Sequence, residues 1–272
     1  MNPATSERRQ SGFTLIEMLV ALGIFLLVTG AAFTLLSTSQ QRYQTESQVL
    51  TSFQEARLGL DQIVRDVNDS GYPPPTFVST NPSFFAATPF AWSPGYTANN
   101  PCQIGTGVGG SCTTPWDFDL IIETNPNRED LNCAPNCPVQ WIRYQLQGTT
   151  LYRGMTPKVP GDDPASDTAA AGVLAPFVQN VVNNASSAQI AQYQLSYPGM
   201  FPGGTSVPIF SYTCDTGTVL LSCLLAGTAN APRNIRDVMV TLIVAAPLPD
   251  ATTGRPRLVQ LNGRGRRVNP NQ

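Results

Sequence analysis

Hydrophobic residues dominate the first part of the chain. From Met18 to Gln41 no residue carries a charge, and this run is about what one helix needs to cross a hydrocarbon core at roughly 1.5 Å per residue. Arg8 and Arg9 precede it. Glu17 stands at its start, where a carboxylate costs on the order of 2.5–3.5 kcal/mol on insertion scales and needs a partner. The pattern predicts a membrane helix with one anomalous acidic residue.

A second hydrophobic pattern follows without a helix breaker. Residues 37–48 are polar, and then apolar residues recur at spacings of three and four, which is typical of one face of a helix. They are Val49, Phe53, Ala56, Leu60, Ile63, Val64 and Val67. Gly71 and the prolines at 73–75 stop the pattern. The spacing predicts one helix from about residue 13 to about residue 68, whose second half packs on a core.

The rest of the chain alternates short apolar stretches with turns rich in Gly and Pro, which is typical of β structure. Strands are predicted at 119–124, 139–147, 150–155, 190–197, 207–213 and 235–244, and residues 173–182 as a helical turn or short strand. The second and third strands form a hairpin, and Pro247 and Pro249 end the last one. The fold class is therefore α+β: a long N-terminal helix, with a membrane-spanning first half and an amphipathic second half, packed on a mainly antiparallel sheet with long loops.

Three segments outside these strands are predicted as loops. Residues 73–115 form a long ordered loop whose aromatic cluster covers a core edge or binds a surface ligand. Residues 157–171 are predicted as an exposed acidic loop. Asp162, Asp163 and Asp167 are potential calcium ligands, but they lack the spacing of an EF-hand calcium loop, so a solvated loop is preferred. The tail at 253–272 reads as a solvated terminus with an edge strand at 258–261.

Composition and charge narrow the function. The chain has 16 basic and 18 acidic residues, and without Glu7, Arg8 and Arg9 it has 14 and 17, which makes no overall case for nucleic acid. Five arginines in the tail leave anionic lipid, DNA or an acidic partner subunit as possible contacts. They are Arg255, Arg257, Arg264, Arg266 and Arg267.

Six cysteines fall into three close pairs. They are Cys102 with Cys112, Cys133 with Cys137, and Cys214 with Cys223. An even count behind an export anchor favours disulfides, and local pairing is the simplest of fifteen connectivities. The chain has no histidine and no Cys-x-x-Cys, so no metal site and no cofactor is predicted.

Candidate chemistry is sparse. Nucleophilic catalysis usually needs a nearby base, and histidine is absent. No Gly-x-Ser-x-Gly, phosphate-binding glycine loop or zinc motif occurs. The chain is predicted not to be an enzyme, which leaves assembly or ligand binding.

The residues Gly12-Phe13-Thr14-Leu15-Ile16-Glu17, behind a short basic leader, resemble the class III signal of type IV prepilins and type II secretion pseudopilins. The resemblance implies that prepilin peptidase cuts between Gly12 and Phe13 and that Phe13 is N-methylated. Glu17 would then compensate the new ammonium of a neighbouring subunit's Phe13. An ordinary secretory signal instead has a small-residue cleavage site after its apolar region.

Two later stretches narrow the resemblance. Residues 56–72 resemble the corresponding helix end of the PilW minor pilins and the related pseudopilin J proteins. The combination of residues 210–212 and 215–217 with the late strand resembles the same families. The likeness implies a minor pilin that takes part in initiation, assembly or the tip of a type IV pilus. The alternatives are a minor pseudopilin J of type II secretion and an adhesin or ligand-binding module on a pilin stem.

The predicted organisation follows from these segments. Residues 1–12 are the prepilin leader, 13–41 the transmembrane and filament-core helix, 42–71 the amphipathic helix of the globular domain, and 72–272 a β-rich periplasmic or extracellular domain. The expected location is the bacterial inner membrane, with a single pass and the C-terminal domain in the periplasm, and then a pilus or pseudopilus. The expected partners are prepilin peptidase, the inner membrane and other major and minor pilins in a hetero-oligomeric filament.

Overall fold

The computed structural model describes residues 12–74, 81–91, 115–126, 137–215, 220–223, 232–250 and 253–267. The chain divides into two compact units, Met1–Ser47 and Gln48–Gln272. The longest element, α1, is the helix Leu15–Asn68. The predicted long N-terminal helix is therefore confirmed in extent.

The first part of α1 is apolar and exposed. Every Leu, Ile, Val, Met and Phe between residues 13 and 36 is more than half exposed, from 54% at Leu36 to 91% at Phe13. By length and composition, α1 is long and apolar enough to cross a membrane. Among the described residues of the first unit, nothing buries this surface, so it needs another apolar environment.

The second part of α1 buries one stripe. The buried residues are Val49, Ala56, Gly59, Leu60, Ile63, Asp66 and Val67. Their spacing of three and four residues puts them on one face of the helix. This face joins the main core, as the apolar pattern predicted.

In the described part of the second unit, the strands form two antiparallel sheets. One has the order β1-β2-β3-β4-β5. Its strands are Phe90–Ala91, Asp119–Thr124, Gln140–Gln147, Thr150–Pro157 and Ala175–Val178. The other has the order β7-β6-β8-β9, with β6 Phe210–Asp215, β7 Leu220–Ser222, β8 Ile235–Pro249 and β9 Pro256–Arg266. The α+β prediction, a long helix packed on antiparallel sheets, is confirmed, and so is the β3–β4 hairpin.

The main core draws on α1 and on both sheets. Ile63 and Val67 of the helix, Ile142 and Leu151 of the first sheet and Val240 of the second belong to one buried cluster. A smaller cluster lies beside it and includes Ile190, Phe201, Ile243 and Leu258. One face of the amphipathic helix is thus the element that both sheets share.

Residues 180–183 link the turn between β3 and β4 of the first sheet to β8 of the second, and the Val181 amide donates to the Thr149 carbonyl at 2.8 Å. Val181 forms an isolated antiparallel bridge with Val244 of β8. The side chain of Asn183 is fully buried; its amide nitrogen donates to the carbonyls of Val207 and Thr241, and its oxygen accepts from the Ile243 amide at 2.7 Å. A buried amide side chain needs hydrogen-bond partners. The Asn183 side chain finds them in the Thr241 carbonyl and the Ile243 amide, which are backbone groups of β8.

The strand predicted at 190–197 is wrong. The structure has a helix there, α3, Ser187–Gln194. The Ser186 hydroxyl accepts from the Gln189 amide, and the Gln189 side chain accepts from the Ser186 amide, which is a capping box. The local signal Ser-x-x-Gln therefore outweighed the short apolar stretch from which a strand was predicted, and Ile190 is the one buried residue of this helix.

The loop prediction for 157–171 and the terminus prediction for the tail are also corrected. A short helix, α2, spans Pro164–Ala169, with Asp163 as its N-cap. β8 continues through Pro247 to Pro249, so neither proline ends it. The predicted edge strand at 258–261 is confirmed, but it is part of a longer strand, β9, where a solvated end was expected. Both prolines lie beyond the part of β8 that pairs with β6, where a missing amide is tolerated.

Candidate assembly site at the head of the helix

Thr14 and Glu17 form a reciprocal cap at the start of α1. The Glu17 amide donates to the Thr14 hydroxyl oxygen at 3.3 Å. In return, Glu17 Oε2 accepts from the Thr14 amide and from the Thr14 hydroxyl, each at 2.9 Å. This is the Thr-x-x-Glu capping box, and it satisfies two amides that the first helical turn would leave unpaired.

The cap fixes where the Glu17 carboxylate points. Its Oε2 is held at the helix N-terminus, on the amide of the second residue after Gly12. A carboxylate here also meets the positive end of the helix dipole. Both capping residues follow the predicted cleavage point, so the cap would persist in a chain that starts at Phe13.

Sequence reasoning singled out Glu17 but missed Thr14. The spelling Thr-x-x-Glu directly before an apolar run was the signal that would have revealed it. Gly12, Phe13 and Glu17 are exposed, whereas Arg8 and Arg9 lie outside the described residues. The predicted cleavage, methylation and assembly residues are therefore all exposed at the head of α1, and their roles stay predictions.

A buried polar network fastens α1 to the first sheet. Asp66 Oδ2 accepts from the Tyr144 hydroxyl at 2.5 Å and from Arg153 Nη2 at 3.0 Å. Gln62 donates to the other oxygen of Asp66 at 2.8 Å. Burial, and then the nearby Asp66 charge, hold the pKa of Tyr144 well above its usual value, so the phenol stays a donor.

Glycines let the strands approach α1 closely. A Cβ on Gly59 would meet the Val178 side chain of β5, and one on Gly265 would meet Val67. A Cβ on Gly263 would lie 2.8 Å from Leu60 Cδ1. Both β9 glycines are thus sites where only a hydrogen leaves room for the helix.

Lys158 and Glu123 form a buried ion pair. Lys158 is the only lysine in the chain, and its Nζ lies 2.5 Å from Glu123 Oε1. The same nitrogen donates to the Phe85 carbonyl, and Glu123 accepts from the Ala87 amide. Burial raises the pKa of Glu123 to about 7, although Lys158 opposes the shift. The pair ties residues 85–87 to β2.

A second buried pair lies on the same sheet. Arg143 binds Asp119 through two nitrogens, at 2.9 and 2.6 Å, and its third nitrogen donates to the Ala165 carbonyl of α2. Burial raises the pKa of Asp119, and Arg143 opposes the shift. The arrangement is structural: each charge has a partner, and a bidentate guanidinium–carboxylate contact fixes geometry.

The predicted Cys214–Cys223 disulfide is present. Cys137 is also disulfide-bonded, but Cys102, Cys112 and Cys133 lie outside the described residues, so those two pairings stay predictions. Among the residues that the structure describes, no cluster of three or more potential ligands is suited to a metal ion.

A comparison with protein families finds a match at the head of α1. Residues 8–33 match the family model described as the prokaryotic N-terminal methylation motif. The motif supports a type IV pilin-like structural subunit and implies processing by prepilin peptidase and assembly with other pilins. It also fits membrane anchoring through the N-terminal helix.

The wider comparisons add little. A type IV-like pilin from Thermus thermophilus aligns with 80% of this chain and 97% of its own, at a TM-score of 0.38 and 10% identity. A likeness at that level carries no conclusion about this chain. No curated protein sequence matches the chain.

Proposed function

We propose that the chain is a minor pilin of the PilW type, which takes part in initiation, assembly or the tip of a type IV pilus after cleavage between Gly12 and Phe13. One observation supports this most: the methylation motif lies at the head of a helix whose first part, residues 13–36, exposes all of its large apolar side chains. That helix leads into a folded unit with its own core.

In the proposed mechanism, the apolar part of the helix leaves the lipid bilayer and packs against the helices of other subunits. In the inner membrane, lipid covers the apolar surface of residues 13–41; in a filament, the helices of neighbouring subunits cover it. Glu17 compensates the ammonium of a neighbour's Phe13, which is costly to leave alone in an apolar environment. Such a pair specifies register more than it adds stability.

The proposed organisation has residues 1–12 as leader and 13–41 as the filament-core helix. Residues 42–71 then belong to the globular domain, together with the β-rich part at 72–272, which would face the periplasm before assembly. The buried polar contacts around Asp66 support the assignment of the second part of α1 to this domain.

Two variants of Glu17 test the role of its charge. Glutamine can replace glutamate in a capping box, so Glu17→Gln keeps the cap and removes the charge. Thr14→Ala does the reverse. We expect Glu17→Gln and Glu17→Ala to be lost from filaments while the second unit stays folded, and Thr14→Ala to be retained. Normal incorporation of Glu17→Gln would refute the charge-compensation role.

Co-purification tests whether the chain belongs to a type IV pilus or to a type II secretion pseudopilus. The processed wild-type chain should appear in sheared type IV pili. Recovery with a type II secretion pseudopilus instead would move the assignment to pseudopilin J, and recovery with neither filament would contradict an assembly role.

A further inference from the structure

The second sheet has a long strand at its edge. Among the described residues, β9 pairs with β8 on one side and with no strand on the other. It is eleven residues long, whereas β7 at the opposite edge has three. A long edge strand presents a row of backbone donors and acceptors that another strand can pair with.

The register shows which groups face outward. The Arg267 amide donates to the Arg236 carbonyl of the neighbouring strand, so every second residue of β9 before it also pairs inward. The intervening residues point the other way. Arg266 is one of these, and its amide donates to Asn68 Oδ1 at 2.8 Å. The next outward positions are Arg264, Asn262, Gln260 and Leu258.

The side chains on the two faces of β9 differ. Gln260, Asn262, Arg264 and Arg266 are exposed on one face. Val259 and Leu261 are half-buried on the other, where they pack with Val64 of α1 against the core. An added strand would therefore meet arginines on one face and apolar side chains on the other.

Charge decides between a second copy and a different partner. Antiparallel pairing of two β9 strands would bring arginines of one copy close to arginines of the other, and like charges on neighbouring strands are destabilising. Arg264 forms an ion pair with the buried Asp237 at 2.8 Å, and Arg266 lies 4.0 Å from the same carboxylate. One acidic residue thus faces two arginines, and both arginine side chains are more than half exposed. A carboxylate on the added strand would meet favourable potential there.

We propose that β9 is a docking edge for an extended segment of a different subunit, in which acidic and apolar side chains alternate. Backbone hydrogen bonds to positions 258–264 supply affinity, and the carboxylates beside Arg264 and Arg266 set the register. This names a partner contact for the assembly role and rests on that role only for its biological meaning.

The test uses the full chain in neutral detergent micelles and two short capped peptides, one alternating Val and Glu and one alternating Val and Lys. Amide hydrogen exchange is followed residue by residue. With saturating Val/Glu peptide, we expect exchange at Gln260, Asn262 and Arg264 to slow by about tenfold or more, and the Val/Lys peptide to have no effect.

Matched variants separate docking from folding. Asn262→Pro removes an outward amide that β8 does not use, so it should abolish protection by the peptide while β8–β9 pairing remains. Asn262→Ala loses the same side chain, keeps the amide and should bind normally. Gln260→Pro provides a second blocking variant if Asn262→Pro does not fold.

Several outcomes would overturn the proposal. They are no protection of wild type by the Val/Glu peptide, equal protection by the Val/Lys peptide, and unchanged binding to both proline variants. Stronger protection by duplex DNA or anionic vesicles would assign the edge to those ligands instead. The peptide result does not depend on filament assembly, so failure of the Glu17 test would leave it standing.

Discussion

The two parts of α1 show how one regular helix serves two environments. Residues 15–41 expose large apolar side chains all round, whereas the part within the second unit buries only one stripe. A helix that is apolar on every side needs an apolar medium or other helices around it, and an amphipathic one needs a single core. The apolar surface of the first part can therefore be covered by lipid or by other helices, whereas the buried stripe of the second part packs on the core of its own domain.

Shortening an apolar side chain of α1 should lower the stability of the second unit only where that side chain is buried in its core. Ile63 is fully buried and Leu22 is more than half exposed. Ile63→Ala should lower the free energy of unfolding of the second unit by about 2–5 kcal/mol, and Leu22→Ala should leave it unchanged. Urea unfolding followed by the fluorescence of buried Trp141 measures both. Equal effects would show that the two parts are not distinct.

Changing pH should also act on the second unit. Glu123 has a folded pKa of about 7, above its unfolded value, so folding favours the protonated form. Stability from this group is greatest below about pH 4.5 and falls as pH rises towards 7, by on the order of 3 kcal/mol. Glu123→Gln should remove that slope in urea unfolding at several pH values, even if it lowers stability overall. A wild-type slope that survives the substitution would contradict the assignment.

A pair of glycines on the same helix tests close packing. A Cβ at Gly59 would collide with Val178, whereas a Cβ at Gly30 would have nothing within 4 Å. Gly59→Ala should cost about 1–3 kcal/mol through overpacking, partly offset by better helix propensity. Gly30→Ala should leave the thermal unfolding of the second unit unchanged. A stabilising Gly59→Ala would mean that β5 adjusts to the helix.

The smallest expected effect is at the cap. Thr14→Ala should weaken the first turn of α1 by about 1 kcal/mol, and Thr14→Ser by less. Hydrogen exchange at the amides of Leu15, Ile16 and Glu17 in micelles reports it. Identical exchange in wild type and both variants would show that the capping box has no energetic role.

Much of the fold was predictable because its signals are local. The apolar run and the stripe that follows gave the limits of α1 to within about two residues. A short run of consecutive apolar residues located β2, and alternation with a Gly turn located the β3–β4 hairpin. The strand predicted at 190–197 is wrong because a capping box at Ser186 and Gln189 starts a helix there. Long-range pairing, such as β8 between β6 and β9, has no signal in any single segment.

The polar interior was the least predictable part. Tyr144 lies 78 residues after Asp66 along the chain, and Arg153 lies 87 residues after it. No spacing pattern in the sequence joins residues so far apart. Glu123 and Lys158 read as ordinary surface residues by type, yet both are buried. At the helix head, by contrast, contiguous residues identified Glu17, and the same few letters contained the missed role of Thr14.

The central claim is that Glu17 is tolerated because cleavage exposes an amine at Phe13 that a neighbouring subunit presents to it. Intact-mass and N-terminal peptide mass spectrometry of the protein extracted from cells with active prepilin peptidase tests the first half of that claim directly. We expect a chain that begins at an N-methylated Phe13. A chain that keeps residues 1–12 would contradict it.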